Sequence, residues 1–267
     1  MERISLPKSI SMIENHGHRA VFAIEPLYPG YGMTVGNALR RVLLSSLPGA
    51  AITHVKIEGA SHEFSTLPYV KEDMVDIILN IKMIRLKMHG EGPVTVNLNV
   101  SGAKKVTAGD ITANSDVEVI NKDQIIATLT DKAAKLDIEF TVEKGRGYIP
   151  VEQREKEKRN IGQIAIDAIF TPMKNVNFTT QNVRVGQMTN YDKLLLDITT
   201  DGSITPSDAL KASAEIMVEH FKFILDADMT AEVAMTEETP TDAADEATDA
   251  EEKPKKTRKK KADSDEA

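Results

Sequence analysis

The way in which strand-like segments follow one another constrains the fold of this 267-residue chain more than any other feature. Apolar and polar residues alternate through residues 84–88 and again through 94–100, with the turn GEGP between the two runs. This pattern predicts two strands that pair as a hairpin. Two more alternating runs, VNFTTQNVRV and KLLLDITT, flank a predicted turn at residues 189–192. Because tight turns join antiparallel strands, whereas parallel strands need long crossovers, the chain is predicted to have an α+β fold.

Three segments have the apolar spacing of helices that bury one face. They cover residues 34–47, 71–82 and 206 to about 226. The first is predicted to end at Pro48 and Gly49, because both residue types stop helices. The last has favourable start signals, since Thr205 can cap the helix. The predicted order is therefore a strand, a helix, a strand, a helix, many strands and a final helix.

The glycines around the start of the first helix raise the question of a nucleotide site. Gly30, Gly32 and Gly36 lie where a strand meets a helix, and such backbone amides can bind a pyrophosphate. Glu58 follows about 20 residues later, at the distance expected of a ribose-binding carboxylate. The spacing is Gly-x-Gly-x-x-x-Gly, however, and the predicted hairpins supply no repeated βαβ units. The sequence therefore favours a tight turn into a closely packed helix over a nucleotide-binding enzyme.

Few residues indicate catalysis or a bound metal. The sequence contains no cysteine, which excludes disulfides, zinc–thiolate sites and cysteine nucleophiles. Its six histidines are scattered, and no Ser-His-Asp motif or acidic calcium loop is recognisable. No apolar run is long enough for a membrane span, and the N-terminus lacks a secretory signal. We therefore expect a cytoplasmic protein with no membrane contact, no metal and no cofactor in this chain.

Charge is distributed unevenly along the sequence. Residues 1–228 contain 29 acidic and 26 basic residues, so this part has no basic excess with which to bind nucleic acid tightly. Residues 229–267 contain almost nothing apolar and are predicted to be a disordered tail. An acidic block in this tail precedes the basic block KPKKTRKKK. The basic block either makes weak, sequence-independent contacts with DNA or RNA, or is a solvated segment that binds nothing.

Two features of the predicted helices raise the question of a protein-binding surface. On the first helix, Arg41 and Leu44 project away from the predicted buried side. That buried side carries Val35, Leu39 and Val42. Arginine beside an apolar anchor is typical of interfaces, although a single exposed leucine is also ordinary. On the second helix, Lys82 lies within an apolar arc, where its ammonium must either reach solvent or meet a partner. From spacing alone, both interpretations of each feature stay open.

Several long motifs resemble one protein family. They include IEPLYPGYGMTVGNALRRVLLSSLPGAAIT, HEFSTLPYVKEDMVDIILNIK and YDKLLLDITTDGSITPSDAL, and the similarity extends over roughly residues 10–228. These motifs are similar to those of the alpha subunit of bacterial RNA polymerase. The resemblance implies a discontinuous dimerisation domain, residues 1–48 and 167–228, with two main helices on an antiparallel sheet. It also implies an inserted, mostly β domain at residues 49–166, which leaves residues 229–267 as the tail.

The resemblance implies a function as well. Two copies would dimerise and form the platform for the catalytic beta and beta-prime subunits of DNA-directed RNA polymerase, a nucleotidyltransferase complex to which this chain supplies no catalytic residue. The positions that match beta contacts are Arg41, Leu44, Lys82, Arg146 and Tyr148. Ile166 matches a position implicated in holding beta-prime. The expected dimerisation residues are Val35, Leu39, Val42, Leu43, Leu210, Met217 and Phe221.

One part of the family pattern is not found in this sequence. Typical alpha subunits continue, after a linker, into a helical C-terminal domain that binds promoter DNA. Here the acidic and basic blocks follow residue 228 instead. DNA is therefore expected to be reached only through the assembled complex, or weakly through the basic block of the tail.

Overall fold

The structure is a computed structural model that describes residues 4–154 and 162–227. Its helices are α1 (Tyr31–Ser45), α2 (Met74–Lys82) and α3 (Pro206–Asp226). Its strands are β1 (Ser9–Asn15), β2 (Arg19–Leu27), β3 (Pro48–Ile57), β4 (Leu86–Met88), β5 (Val94–Ser101), β6 (Lys105–Thr107), β7 (Val117–Val119), β8 (Ile125–Thr128), β9 (Lys135–Arg146), β10 (Tyr148–Ile149), β11 (Gln163–Ala165), β12 (Ala168–Ile169), β13 (Met173–Val185) and β14 (Met188–Thr200). The predicted disordered tail, residues 229–267, lies outside the described residues.

One sheet has four antiparallel strands in the order β1-β2-β14-β13. Helices α1 and α3 pack against this sheet, because each has an apolar face that must be buried away from water. The buried residues between these elements are Ala20, Phe22, Ile24, Leu27, Leu39, Leu43, Leu47, Met173, Val176, Leu194, Leu196, Ile198 and Ala209. This core therefore combines residues from the two ends of the described chain.

A second sheet has the order β5-β9-β3-β4-β7, with β11 paired to β3. Its strands are antiparallel, and α2 supplies apolar side chains to the same core. This core contains residues between Ile52 and Ile166, among them the fully buried Phe140. The predicted α+β class with antiparallel sheets is thus confirmed. The predicted domain boundaries, 1–48 with 167–228 and 49–166, stay a prediction.

The predicted hairpin of residues 84–88 and 94–100 is wrong. Strand β4 pairs with β3 and β7, whereas β5 pairs with β9 over its whole length. Two strands, β9 and β3, therefore lie between β4 and β5 in the sheet. Alternation indicates which face of a strand is buried, but it does not identify the neighbouring strand. The long β9 offers β5 eight paired positions, which the three-residue β4 cannot match.

The turn predicted at residues 189–192 is also wrong, because these residues belong to β14. The chain reverses at Gly186 and Gln187, since Val185 already pairs with Met188. Gly186 has a φ of 62°, and tight hairpin turns require such a left-handed backbone. A glycine was therefore the better turn signal than the polar residues that follow it.

The helix predictions are close to the structure. Helix α1 begins at Tyr31 rather than residue 34, after Gly30 in a left-handed conformation with a φ of 84°. Helix α2 begins at Met74 rather than residue 71. Helix α3 has the predicted bounds and the predicted cap, because the Asp208 backbone N–H donates to Thr205 Oγ1 at 3.2 Å. Capping is a local interaction, which explains why sequence reasoning found it.

Candidate functional site

Lys82, at the end of α2, forms an ion pair within the chain. Its Nζ lies 2.9 Å from Asp167 Oδ2, and the two side chains are 24% and 29% exposed. Helix α2 buries Ile77 and Ile81, which leaves Lys82 at the edge of the apolar face. Of the two outcomes considered for this lysine, the structure therefore shows a partner. Sequence spacing carried no signal for Asp167, because it lies 85 residues further along the chain.

The carboxylate of Asp167 also binds the segment that carries Tyr148. Asp167 Oδ1 accepts a hydrogen bond of 3.0 Å from the Val151 backbone N–H. The hydrogen bond from Lys82 is the main reason that the pKa of Asp167 lies below its ordinary value; burial opposes this shift, and the bonds from Val151 and the Tyr148 side chain reinforce it. Asp167 is therefore an ionised acceptor that connects the end of α2 with the turn after β9.

Acid should remove the stability that Asp167 contributes. Because the pKa of its carboxyl is lower in the folded chain than in the unfolded chain, unfolding takes up a proton at acidic pH. The difference in free energy of unfolding between wild type and Asp167→Asn should be full well above the ordinary aspartate pKa of about 4 and should be lost as the pH falls from there through the lowered pKa of the folded chain. Urea titrations of both proteins from about pH 3 to about pH 7 measure this difference. A difference that stays constant over the range would contradict the assigned ion pair.

The turn between β9 and β10 lies beside the end of α1. Gly147 has a φ of 65°, and a Cβ added there would lie 3.5 Å from the carbonyl oxygen of Ser45. Arg146 pairs with Pro48 across β9 and β3, and both Arg146 and Tyr148 are exposed. The structure thus places this turn between the C-terminal end of α1 and the ion pair at Lys82. Contacts within the chain thus link three segments that are distant in sequence, namely the end of α1, this turn with the residues that follow it, and Lys82.

Helix α1 presents Arg41 to solvent at this end. Leu44 is only half-buried and packs against the core below the helix. Arg40, the neighbouring arginine, is tied down, because its Nε donates to the Val176 carbonyl oxygen at 3.0 Å. Arg40 and Arg41 are both exposed, but this hydrogen bond holds the Arg40 guanidinium against β13, and Leu44 contributes a partly covered apolar surface.

Ile166, the predicted beta-prime contact, is 1% exposed and lies in the core of the second sheet. Its backbone N–H donates to the Thr53 carbonyl oxygen, and its own carbonyl oxygen accepts from Arg154 Nη2. Arg154 is itself buried, and its Nε and Nη1 have no hydrogen-bond partner among the described residues. Ile166 thus fixes the backbone next to Asp167 from the inside.

The predicted dimerisation residues divide into three groups. Leu39 and Leu43 are buried in the chain's own core. The half-buried members are Val35, Val42, Leu210 and Met217. Phe221 is 61% exposed. The structure also exposes apolar side chains of α3 that the sequence prediction did not name as dimerisation residues, namely Val218, Phe223, Ile224 and Leu225. Their signal in the sequence was a helix whose apolar residues continue on several faces beyond Met217.

The glycine loop is not arranged as a nucleotide site. The Gly32 backbone N–H, at the start of α1, donates to Asp192 Oδ2 at 3.0 Å, so a carboxylate of the chain takes the place of a phosphate. A Cβ at Gly36 would lie 2.5 Å from Phe178 Cδ2. Strands β2 and β3 flank α1 but belong to different sheets, which excludes a βαβ unit there. The alternative interpretation, a closely packed helix start, is favoured.

Neither a metal site nor a membrane-spanning helix is found among residues 4–154 and 162–227. In these ranges no group of three or more His, Cys, Asp or Glu side chains is placed to hold a metal ion. Within the same ranges, no helix has the length and apolar character that crossing a membrane requires. The predicted absence of a cofactor stays a prediction.

Comparisons with known proteins point to one family. Residues 55–171 match the family described as the RNA polymerase Rpb3/RpoA insert domain. The chain is 52% identical over 204 residues to the DNA-directed RNA polymerase subunit alpha of Moorella thermoacetica, an alignment that covers 76% of this chain and 65% of that protein. It is 52% identical over 225 residues to the subunit of the same name from a Roseiflexus species, covering 84% and 68%. It is 51% identical over 227 residues to that of Clostridium botulinum, covering 84% and 71%. The chain thus spans about two thirds of the length of these relatives.

Proposed function

Because this chain belongs to the family of DNA-directed RNA polymerase alpha subunits, we propose that it homodimerises and serves as the assembly platform for the beta and beta-prime subunits in the cytoplasm. In this role it is a non-catalytic part of a nucleotidyltransferase complex. It binds no cofactor and reaches DNA through the assembled complex. The observation that carries the proposal is the surface formed by the end of α1, the turn at Gly147 and Lys82, which contacts within the chain link to one another.

Support for a beta contact comes from how that surface is built. Arg41 and Leu44 lie near the end of α1, and Gly147 brings the turn with Arg146 and Tyr148 against it. Lys82 follows on the other side of the turn, through Asp167. Interfaces concentrate their energy in arginine and aromatic side chains set among partly buried apolar groups. These five beta-contact residues offer that combination on one side of the molecule.

Support for the homodimer comes from the C-terminal half of α3. Its exposed apolar side chains include Phe221, Ile224 and Leu225. A contiguous exposed apolar patch on a folded chain marks an interaction site. A second copy would present the same helix, and a twofold interface pairs a patch with itself. Dimerisation through α1 and α3 would cover these side chains.

A contact with beta-prime would use the segment around Ile166 in an indirect way. Since the Ile166 side chain is buried, it affects a partner only through the backbone that it holds in place. The basic block of the tail is the remaining candidate for weak, sequence-independent contacts with nucleic acid.

Arg41→Ala should weaken binding of beta about tenfold or more while the homodimer remains intact. Arg41 is exposed, and its removal leaves the core below α1 unchanged. The test is to purify the tagged chain with and without the beta subunit of the same organism, determine masses by light scattering and titrate beta. Wild type is expected to be a homodimer that takes up one beta subunit.

Arg184→Ala is the matched control, because Arg184 is an arginine whose Nε donates only within its own turn, to the Gly186 carbonyl oxygen. It should bind beta as wild type does. Loss of the dimer in Arg41→Ala would show that the faces of α1 are assigned wrongly. A wild-type chain that is monomeric and does not bind beta would overturn the proposed function.

A further inference from the structure

We propose that Asp167 is a positioning residue of the beta-contact surface, which it organises by holding Lys82 and the Tyr148 turn in one fixed arrangement. This inference rests on the proposed function. Asp167 is not one of the predicted contact residues, although it directly follows Ile166 in the sequence. The residue touches no reacting group, and its effect on a partner would pass through the side chains that it binds.

The two oxygens of the Asp167 carboxylate have different partners. Oδ2 accepts from Lys82 Nζ at 2.9 Å, and Oδ1 accepts from the Val151 backbone N–H at 3.0 Å. One carboxylate therefore joins the end of α2 to the segment that follows β9, although these elements are distant in sequence.

The position of Asp167 is itself fixed from both sides. It lies between β11, which pairs with β3, and β12, which pairs with β10. Ile166, the preceding residue, is buried in the core, and Ala168, the following residue, is buried in a small cluster with Phe170. The carboxylate thus projects from a backbone that cannot easily shift. A group held in this way can orient its partners rather than follow them.

Preorganisation is the physical reason for an effect on binding. A free lysine side chain samples many rotamers, and a partner that binds it must restrict them. The ion pair with Asp167 already restricts Lys82 and uses one of its three N–H donors. Two donors remain for acceptors of the partner. Without Asp167, the lysine would have to be ordered during association, and the segment after β10 would lose its hydrogen bond at Val151.

Asp167→Asn tests the inference, because asparagine keeps the shape of the side chain but loses its charge. We expect beta to bind the variant homodimer about tenfold more weakly, the size typical of coupling between residues in contact. The dimer mass and the midpoint of urea unfolding at neutral pH are measured alongside, to separate positioning from loss of fold.

Asp110→Asn is the matched control, since Asp110 has the same kind of environment away from this surface. Its Oδ1 accepts from Lys104 Nζ at 2.8 Å, and its Oδ2 accepts from the Thr107 backbone N–H at 2.9 Å. This variant should bind beta within about twofold of wild type, the range of uncoupled surface changes. Equal losses in both variants would mean that any broken ion pair weakens binding, and would overturn the inference.

A double-mutant cycle with Lys82→Ala adds a result that a purely structural role would not produce. If Asp167 acts through Lys82, Asp167→Asn should weaken binding clearly less in the Lys82→Ala background than in wild type. Independent losses, or an Asp167→Asn variant that binds like wild type, would overturn the inference and leave the proposed function standing. A wild-type chain that does not bind beta would overturn both.

Discussion

Gly49→Ala is expected to lower the free energy of unfolding by about 3 kcal/mol, at the upper end of the usual cost of overpacking. A Cβ at this position would overlap the carbonyl oxygen of Phe170. That oxygen belongs to the backbone, so it cannot rotate away as a side chain could. Strand β3 cannot retreat either, because Gly49 pairs with Gly145 of β9. Urea unfolding followed by circular dichroism measures the loss.

Gly90→Ala is the control for this prediction. A Cβ there would lie 3.5 Å from Asp116 Cβ, an ordinary contact distance, and Gly90 has no left-handed backbone. Its effect should stay within about 0.5 kcal/mol, as for most surface substitutions. Equal stability of the two variants would mean that β3 packs less tightly against the backbone at Phe170 than the structure shows.

Leu43→Ala should lower the free energy of unfolding by about 3 kcal/mol, within the range for a buried leucine that leaves a cavity. Leu43 is 0% exposed and lies in the core between α1 and the four-stranded sheet. It was predicted as a dimerisation residue, but in this structure its contacts are within one chain. The decrease in free energy of unfolding relative to wild type should therefore be the same at low and high protein concentration. Unfolding curves recorded at two concentrations measure it, with the largely exposed Leu6→Ala as a near-neutral control.

Phe221→Ala should affect the homodimer and not the stability of the single chain. Its ring is exposed in the single chain, so its removal should leave the fold intact and weaken the proposed homodimer. Phe64→Ala removes an even more exposed phenylalanine, from the loop between β3 and α2, and should leave the dimer unchanged. Concentration-dependent light scattering separates the two variants.

A Leu43→Ala variant that is well folded but monomeric would show that Leu43 contacts a second copy directly.

Sequence reasoning succeeded where the signal was local. Helix α3 and its Thr205 cap were predicted correctly, because an N-cap and apolar spacing act within one or two turns. The outward position of Arg41 followed from helical geometry alone. The hairpin prediction failed because the alternation of β4 and β5 fits many neighbours, and their true partners lie elsewhere in the sequence.

The sequence by itself thus determined the family, the α+β class, the helices and the exposure of Arg41. Motifs, periodicity and caps each depend on residues that are close together in the sequence. Only the tertiary structure decided that Lys82 meets Asp167, that Leu43 is enclosed within its own chain and that Gly49 lies against Phe170. Each of these depends on which strands become neighbours. Strand neighbours are chosen by the burial and hydrogen bonding of the whole sheet, and no short stretch of sequence contains that information.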